Sequence, residues 1–352
     1  MNIKKTALLA ALGVLAVFNA QAQVELTVTG STAFRSISFN RFPVLFDSGS
    51  LQSNVTNANI RTYTGTMSNA VPALGNTTVT IRSAFSGSAA GMIAVRNGTP
   101  LSALNVDGTS VNKTPDVAFS DVFPGSANPP IPESAFAKRD VVGVTPFVWV
   151  KNNSLVGVDN LTREQAVLLM TASGTGLMPA NFLGGALTNN VYAVGRDSGS
   201  GSRITVEKDI GFVGNPTLWA TNGAGVLITT NGYSSASLVA STVKGTSYTI
   251  GYMSLGDFIT INTSATALSY NGVPFSATNV QNGKYAMWGY EHLVSRNGMS
   301  ANQQLVRNAL VSAITNQTYQ TSDPSYAGLF VDIANMQVER GADGGTITSL
   351  QF

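Results

Sequence analysis

The feature that most constrains the fold is the run VYAVGRDSGSGSR at residues 191–203, where an apolar segment leads through a Ser/Gly turn. The pattern predicts a buried strand followed by an amphipathic helix that begins near Ser202. A strand, a glycine-rich turn and a helix direct backbone N–H groups and the positive end of the helix dipole at one point. Arg196 adds a planar guanidinium that can hold an oxyanion. The run therefore favours a small anion site, and the alternative is an ordinary connection that needs glycine for its backbone angles.

The run lacks the lysine of a nucleotide-binding P-loop. Two other stretches repeat the run's arrangement of strand, Ser/Gly turn and helix. A predicted strand at 24–29 precedes GSTAF, and one at 78–81 precedes FSGSAAG. Residues 116–121 indicate a further short strand that ends in Ser-Asp. Because ligands of open α/β sheets bind beyond the carboxyl ends of strands, we expect these loops to converge on one cleft. Residues 52–76 are polar and irregular, which predicts a loop or an insertion.

The chain length predicts two domains of α/β class, since about 330 residues beyond the N-terminal leader exceed the usual size of a single core. Residues 141–150 form a long apolar run, which predicts a strand crossing between the domains, and 284–294 are the candidate return crossing. We assign residues 23–146 plus 286–352 to domain I and residues 147–285 to domain II.

The N-terminus indicates export. Lys4 and Lys5 precede an apolar segment and the motif AQA at 20–22, which predicts a signal peptide over residues 1–22. The chain has no cysteine, so disulfides and lipid attachment at a mature N-terminal cysteine are excluded. Without the two lysines, the 20 basic residues become 18 and balance the 18 acidic ones. We therefore expect a periplasmic protein that binds neither nucleic acid nor a membrane surface.

Catalytic patterns are weak throughout the sequence. The single histidine, His292, lies in an aromatic-rich segment, which is typical of a packed or surface histidine. No G-x-S-x-G nucleophile motif and no Cys/His cluster for zinc is present. Residues 241–244 match S-x-x-K, but the later K-T-G of that enzyme class is missing. We predict no enzyme activity, no catalytic residue, no metal and no cofactor.

Four motifs in order resemble the ligand loops of the phosphate-binding proteins of bacterial ABC phosphate transporters. They are VTGSTAF at 28–34, SGSAAG at 86–91, FSD at 119–121 and RDSGSGS at 196–202, followed by GYSSAS at 232–237 and IGY at 250–252. The likeness extends from about residue 24 to residue 290. It implies a two-domain type 2 periplasmic-binding-protein fold with a ligand cleft between domains joined by crossing strands. It also implies a monomer that captures phosphate, or a related tetrahedral oxyanion, and delivers it to an ABC-transporter permease.

The same resemblance implies which residues contact the anion. They are Thr32, Ala33, Ser88, Asp121, Arg196, Ser200, Gly201 and Ser202. Arg196 would supply charge-assisted hydrogen bonds. Asp121 would accept a hydrogen bond from the O–H group that hydrogen phosphate has and sulfate lacks. It would therefore select against sulfate.

The sequence departs from the family's pattern in ways that concern the ligand. Ser198 stands where the family has the acid that holds its arginine, and Asp197 is the candidate substitute. Arg35 directly follows the first loop, and an inward side chain would favour a different or larger anion. The alternative function is an exported surface or interaction protein that keeps the fold with another ligand or none. The two functions differ over whether Arg196 and Asp121 face one cleft.

Overall fold

The computed structural model describes residues 23–55, 58–69, 71–75, 77–172 and 176–350, and the predicted signal peptide lies outside this part of the chain. The α-helices of the described residues are α1 Arg35–Arg41, α2 Ser88–Asn97, α3 Arg163–Thr171, α4 Gly201–Ile210, α5 Ala236–Gly245, α6 Leu255–Phe258, α7 Ala277–Gln281, α8 Ala301–Ile314 and α9 Gln317–Ser322. The strands are β1 Val24–Gly30, β2 Gln52–Asn54, β3 Ile60–Thr66, β4 Thr78–Ala84, β5 Leu101–Leu104, β6 Ser110–Lys113, β7 Val117–Ser120, β8 Lys138–Asn152, β9 Asn160–Leu161, β10 Tyr192–Val194, β11 Leu218–Thr221, β12 Leu227–Thr230, β13 Thr249–Ser254, β14 Ala265–Ala267, β15 Ser269–Tyr270, β16 Trp288–Ser295, β17 Val338–Glu339 and β18 Thr348–Ser349.

One large mixed sheet organises the fold. Its strand order is β10-β13-β8-β16-β7-β1-β4-β3-β2, and β14 also pairs with β8. Strand β1 runs parallel to β4 and β7, and β10 runs parallel to β13. The intervening strands β8 and β16 are antiparallel to each other and to their outer neighbours. The parallel strands are almost wholly buried, as expected where helices such as α2 and α5 cover the sheet.

The long strand β8 joins the two halves of this sheet. It pairs with β16 along its length and with β13 and β14 near its end. Both predicted crossing strands are therefore confirmed as strands, and β8 is longer than the apolar run that predicted it. Both strands contribute to two hydrophobic clusters. Phe147 of β8 and Trp288 of β16 belong to one cluster, and Val142 of β8 and Leu293 of β16 belong to the other. The domain boundaries proposed above stay a prediction.

Side-chain caps fix where two of the helices begin. The Thr162 hydroxyl accepts from the Gln165 backbone N–H, and the Gln165 side chain accepts from the Thr162 N–H. Ser300 and Gln303 form the same reciprocal pair ahead of α8. Each cap stabilises its helix by about 1 kcal/mol, because it satisfies backbone donors that the helix leaves unpaired. None of the described helices is long and apolar enough to span a membrane.

The prediction of an irregular loop for residues 52–76 is wrong for residues 52–54 and 60–66, which form strands β2 and β3. Strand β2 pairs antiparallel with β3, and β3 pairs antiparallel with β4, so this stretch extends the sheet at its edge. Strand β3 has the sequence IRTYTGT, in which threonine and tyrosine have the shape that suits a pleated surface. Its polar composition fits a position next to the edge strand β2, because four of its seven residues are only partly buried.

Candidate anion-binding site

A small cavity lies where several loops meet beyond the sheet. It encloses about 220 Å³. Its lining residues are Thr32, Ala33, Gly87, Ser88, Asp121, Arg196, Ser200, Gly201, Ser202, Ala236, Ser254 and Asp257. All eight residues that the family resemblance assigned to the anion are among them. The structure thus brings these residues together, and their contact with an anion stays a prediction.

The sheet topology explains why such distant residues converge. Thr32 follows β1, Ser88 begins α2 after β4, and Asp121 follows β7. Because β1, β4 and β7 are parallel neighbours, their carboxyl ends lie at one edge. On the other side of β8 and β16, Arg196 and Ser254 lie at the ends of the parallel strands β10 and β13. The cavity lies between these two groups of strand ends.

The N-terminus of α4 is in close contact with the loops from the other half of the sheet. A Cβ atom on Gly201 would lie 2.4 Å from Ser88 Oγ and 2.7 Å from Asp121 Oδ2. Real Cβ atoms do not approach other atoms so closely, so only glycine permits this arrangement without a shift of the Ser88 and Asp121 side chains. The hydroxyls of Ser200 and Ser202 lie 2.8 Å apart beside it.

Two helix N-termini at the cavity have no side-chain cap. Gly87 and Ser200 are the N-cap residues of α2 and α4, and neither makes a side-chain cap hydrogen bond. The backbone N–H groups of a first helical turn have no partner within the helix. The positive ends of both helix dipoles therefore lie at the cavity, together with donors that an anion can use.

Arg196 is the buried cation of the site, with a relative exposure of 2%. Its Nε donates to the Tyr233 carbonyl over 3.0 Å and its Nη2 to the Ser234 carbonyl over 3.0 Å. Its Nη1 donates to Thr32 Oγ1 over 3.3 Å, across the cleft. Among the described residues no carboxylate forms an ion pair with Arg196. Two backbone carbonyls therefore hold the guanidinium in the role that the family gives to an acid.

The sequence departure at Ser198 fits this arrangement. Ser198 is exposed, and Asp197 is only half-buried. Burial lowers the pKa of Arg196, and the charge of Asp197 counteracts this decrease. The Asp197 carboxylate nevertheless makes no ion pair with the guanidinium. Asp197 thus makes no direct ion pair in place of the missing acid, although its charge is the largest of those that stabilise the charged Arg196.

The two later motifs position the backbone of the Arg196 loop. Tyr233 forms an isolated β-bridge with Arg196, and the Arg196 N–H donates to the Tyr252 hydroxyl over 3.1 Å. Gly232 has φ +97°, and a Cβ atom there would lie 2.2 Å from the Arg196 carbonyl oxygen. The motifs GYSSAS and IGY thus act on the site through the shape of the loop.

Asp121 is the buried acid of the site, with a relative exposure of 2%. Its backbone N–H donates to Ser88 Oγ over 3.2 Å. Burial raises the pKa of its carboxyl, while the side chains of Ser31 and Glu291 act in the opposite direction. Within the described part of the chain Asp121 Oδ1 has no hydrogen-bond partner. An unpartnered buried acceptor costs about 1–3 kcal/mol, so an O–H donor that reaches Oδ1 would recover stability.

Sequence reasoning missed a second carboxylate at the cavity, Asp257 in the short helix α6. Ser254 Oγ donates to Asp257 Oδ2 over 2.7 Å and accepts from the Asp257 N–H over 3.3 Å. Burial raises the pKa of Asp257. The hydrogen bond from Ser254 and the charges of Arg35 and Arg196 act to lower it. Arg35 is thus near Asp257 but is not among the lining residues. The S-x-x-D pattern of a capping box after a buried strand was the signal for Asp257.

His292 is fully buried away from the cavity lining. Its ring packs on Phe123 with centroids 4.6 Å apart, and its Nδ1 lies 3.0 Å from Arg139 Nη1. Burial and the Arg139 charge lower the pKa of His292 to about 3, so the ring is neutral. The described residues contain no group of three or more histidine, aspartate or glutamate side chains that could hold a metal ion.

Solved structures share the fold of this chain. A protein from Clostridium perfringens, described as a phosphate ABC transporter substrate-binding protein and solved with bound phosphate, superposes with a TM-score of 0.56 at 15% identity, over 88% of this chain and 99% of that one. A DING protein superposes with a TM-score of 0.50 at 15% identity, over 87% and 90% of the two chains. No family model matches the sequence. These likenesses confirm the α/β fold class and its match to two-domain periplasmic binding proteins.

Proposed function

We propose that this protein is an exported solute-binding protein that captures phosphate or a related tetrahedral oxyanion. It would work in the periplasm as a monomer, after removal of residues 1–22, and deliver the anion to the permease of an ABC transporter. It would bind its ligand without turnover. The surface or interaction protein that keeps the fold is the alternative.

The observation that carries this proposal is that Arg196 and Asp121 line one buried cavity. Buried charged side chains are retained at a cost in stability, and here they lie in different loops that converge on the same small space. A protein that uses only its outer surface has no need of such a pair. Whether Arg196 and Asp121 face one cleft is the criterion that separates the two functions, and their shared cavity favours ligand binding.

The donors around the cavity match a small oxyanion. Arg196, the hydroxyls of Ser88, Ser200 and Ser202, and two uncapped helix N-termini all offer hydrogen atoms to one point. The empty space among the lining residues is only about 220 Å³, part of it open to solvent, and it leaves no room for a drug-sized ligand. A naked anion fits this volume better than a nucleotide or a sugar phosphate.

The carboxylates at the cavity favour an anion that carries a proton. Asp121 Oδ2 is a buried acceptor at the cavity, 2.7 Å from the position that a Cβ atom on Gly201 would take. Hydrogen phosphate brings an O–H group near neutral pH, whereas sulfate would place a second unprotonated oxygen against the carboxylate. The expected preference is for phosphate, or a chemically equivalent oxyanion, over sulfate.

Turnover is not expected at this site. A serine nucleophile needs an adjacent base, and His292 is not among the residues that line the cavity. The fold likeness to a substrate-binding protein solved with phosphate agrees with a binding role.

The test is calorimetric titration of the mature protein, freed of bound ligand, first with phosphate and then with sulfate near neutral pH. We expect tight phosphate binding and no response to sulfate. Unfolding measured in parallel should gain about 2.7 kcal/mol of stability at a hundredfold excess of phosphate over Kd. A folded protein that binds neither anion would refute the proposal and leave the surface-protein alternative.

A further inference from the structure

A second buried carboxyl group lies behind Asp121, on the crossing strand β16. The register pairs His292 of β16 with Ser120 of β7 in an antiparallel arrangement. Asp121 directly follows Ser120 and Glu291 directly precedes His292, and the Glu291 and Asp121 side chains lie close enough to shift each other's pKa. Glu291 has a relative exposure of 0% and is not among the residues that line the cavity. Its link to the cavity is its interaction with Asp121, which lines the cavity.

Glu291 has few partners of its own. Its Oε2 accepts from Thr145 Oγ1 of β8 over 3.3 Å, and its Oε1 has no hydrogen-bond partner among the described residues. Neither Glu291 nor Asp121 forms an ion pair with a described lysine or arginine. Two adjacent buried carboxyl groups cannot both be ionised at ordinary cost, so one of them holds a proton.

The surroundings place that proton on Glu291. Burial and the charge of Asp121 raise the pKa of Glu291 well above its usual value. The pKa of Asp121 is also raised by burial, but Ser31, Glu291, Ser88 and Arg196 all favour its ionised form. Glu291 lacks such support, because Thr145 is its one neighbouring donor.

We propose that Glu291 is a positioning residue whose carboxylic acid donates a hydrogen bond to one oxygen of Asp121 and leaves the other oxygen for the O–H group of the anion. The pair then carries one negative charge instead of two, which limits repulsion of the ligand. The bond also keeps Asp121 ionised, and an ionised Asp121 is what rejects sulfate. This inference rests on the proposed function and adds a specificity-determining residue to it.

The experiment compares Glu291→Gln with Glu291→Met. Glutamine keeps a donor for Asp121 but cannot ionise, whereas methionine keeps the volume and removes the donor. We expect Glu291→Gln to keep the phosphate-to-sulfate affinity ratio within about threefold of wild type. In Glu291→Met the phosphate-to-sulfate affinity ratio should fall by at least about tenfold. It should fall further as the pH is lowered from 8 to 6, because Asp121 without a donor takes up a proton more readily.

Other titrating groups near the pair are common to both variants. They are Tyr326, whose pKa burial raises so that it stays neutral, and Asp343, whose pKa burial raises to about 6. Asp116→Asn is the matched control, since Asp116 is a buried carboxyl at the opposite end of β7 that binds Arg296. It should leave the affinity ratio unchanged. A wild-type ratio and pH profile in Glu291→Met, or an equal loss in Glu291→Gln, would overturn the proposal.

A spectroscopic readout is independent of ligand binding and of the stability of Glu291→Met. The infrared difference spectrum of wild type minus Glu291→Gln at pH 7 should contain the C=O band of a protonated, buried carboxylic acid. If the difference shows only carboxylate bands, Glu291 is ionised and the inference is wrong. If wild type binds no anion while the acid band is present, the proposed function fails and the protonation of Glu291 stands.

Discussion

Replacement of Arg196 by methionine tests the site most directly, and its effect can be worked out from the hydrogen bonds. A guanidinium has five N–H donors. Three of them bind the Tyr233 carbonyl, the Ser234 carbonyl and the Thr32 hydroxyl. Two donors therefore remain for an anion, one on each Nη. Each charge-assisted bond contributes about 1.5–3 kcal/mol, so their loss should cost about 3–6 kcal/mol, or roughly 10²- to 10⁴-fold in Kd for phosphate.

The same replacement also affects the ligand-free protein. Removal of the guanidinium leaves the carbonyls of Tyr233 and Ser234 without their donors, at about 1–3 kcal/mol each. Arg307→Met is the matched control, because Arg307 has the same relative exposure of 2% and its Nε donates to Ser295 Oγ outside the cavity lining. We expect both variants to unfold at lower denaturant concentration and only Arg196→Met to lose phosphate binding.

The assay is calorimetric titration with phosphate, with unfolding followed in the presence and absence of the ligand. Folded Arg196→Met should show no stabilisation by phosphate at concentrations that saturate wild type. A change in Kd of less than about fivefold would refute the role of the guanidinium. An equal loss of binding in Arg307→Met would attribute the effect to general destabilisation.

Three further changes have defined outcomes. Asp121→Asn should lower the phosphate-to-sulfate affinity ratio at least about tenfold in competition calorimetry, because an amide no longer penalises an unprotonated oxygen. Gly201→Ala should weaken phosphate binding at least about tenfold, because its Cβ would lie 2.4 Å from Ser88 Oγ and hold the cleft apart. Burial raises the folded-state pKa of Asp209 to about 7, against 3.8 for an unperturbed aspartate. The stabilisation from protonated Asp209 is complete below pH 3.8 and is lost as the pH rises through about 7. The free energy of urea unfolding of wild type should therefore fall by about 3 kcal/mol between pH 5 and pH 8, and Asp209→Asn should show a smaller change.

Each of these changes has a result that contradicts it. An unchanged ratio in Asp121→Asn would remove the argument from the ligand's proton. Gly199→Ala is the control for Gly201→Ala, since the nearest atom to its Cβ would be 3.7 Å away, and equal effects of the two would exclude a specific clash. If Asp209→Asn keeps the full pH slope, Asp209 is not the titrating group.

Much of the fold could be predicted because its signals are local. The apolar strands, the capping boxes at Thr162 and Ser300 and the helices after the Ser/Gly turns are each specified within about a dozen residues. Residues 52–76 were mispredicted because the edge strand β2 and its neighbour β3 have many partly exposed side chains and lack a clear apolar alternation. Asp257 was missed because its pattern is the ordinary one of a helix cap.

The partners that hold the site together required the tertiary structure. Ser198 suggested that an acid was missing beside Arg196, yet the arginine is held by carbonyls of residues more than thirty positions further along the chain. Glu291 carried no local signal at all, since it is a single carboxylate in an apolar strand. Its importance follows from the antiparallel pairing of β7 with β16, which brings it close to Asp121.

The sequence by itself determined the class of the fold and the residue types in each loop, because hydrophobic periodicity, turn residues and caps act over short distances. Only the tertiary structure decided that Thr32, Asp121, Arg196 and Asp257 share one cavity. The parallel register of β1, β4 and β7 and the passage of β8 and β16 between the two halves of the sheet set those distances. Such long-range pairing depends on the packing of the whole chain, so no single stretch of residues encodes it.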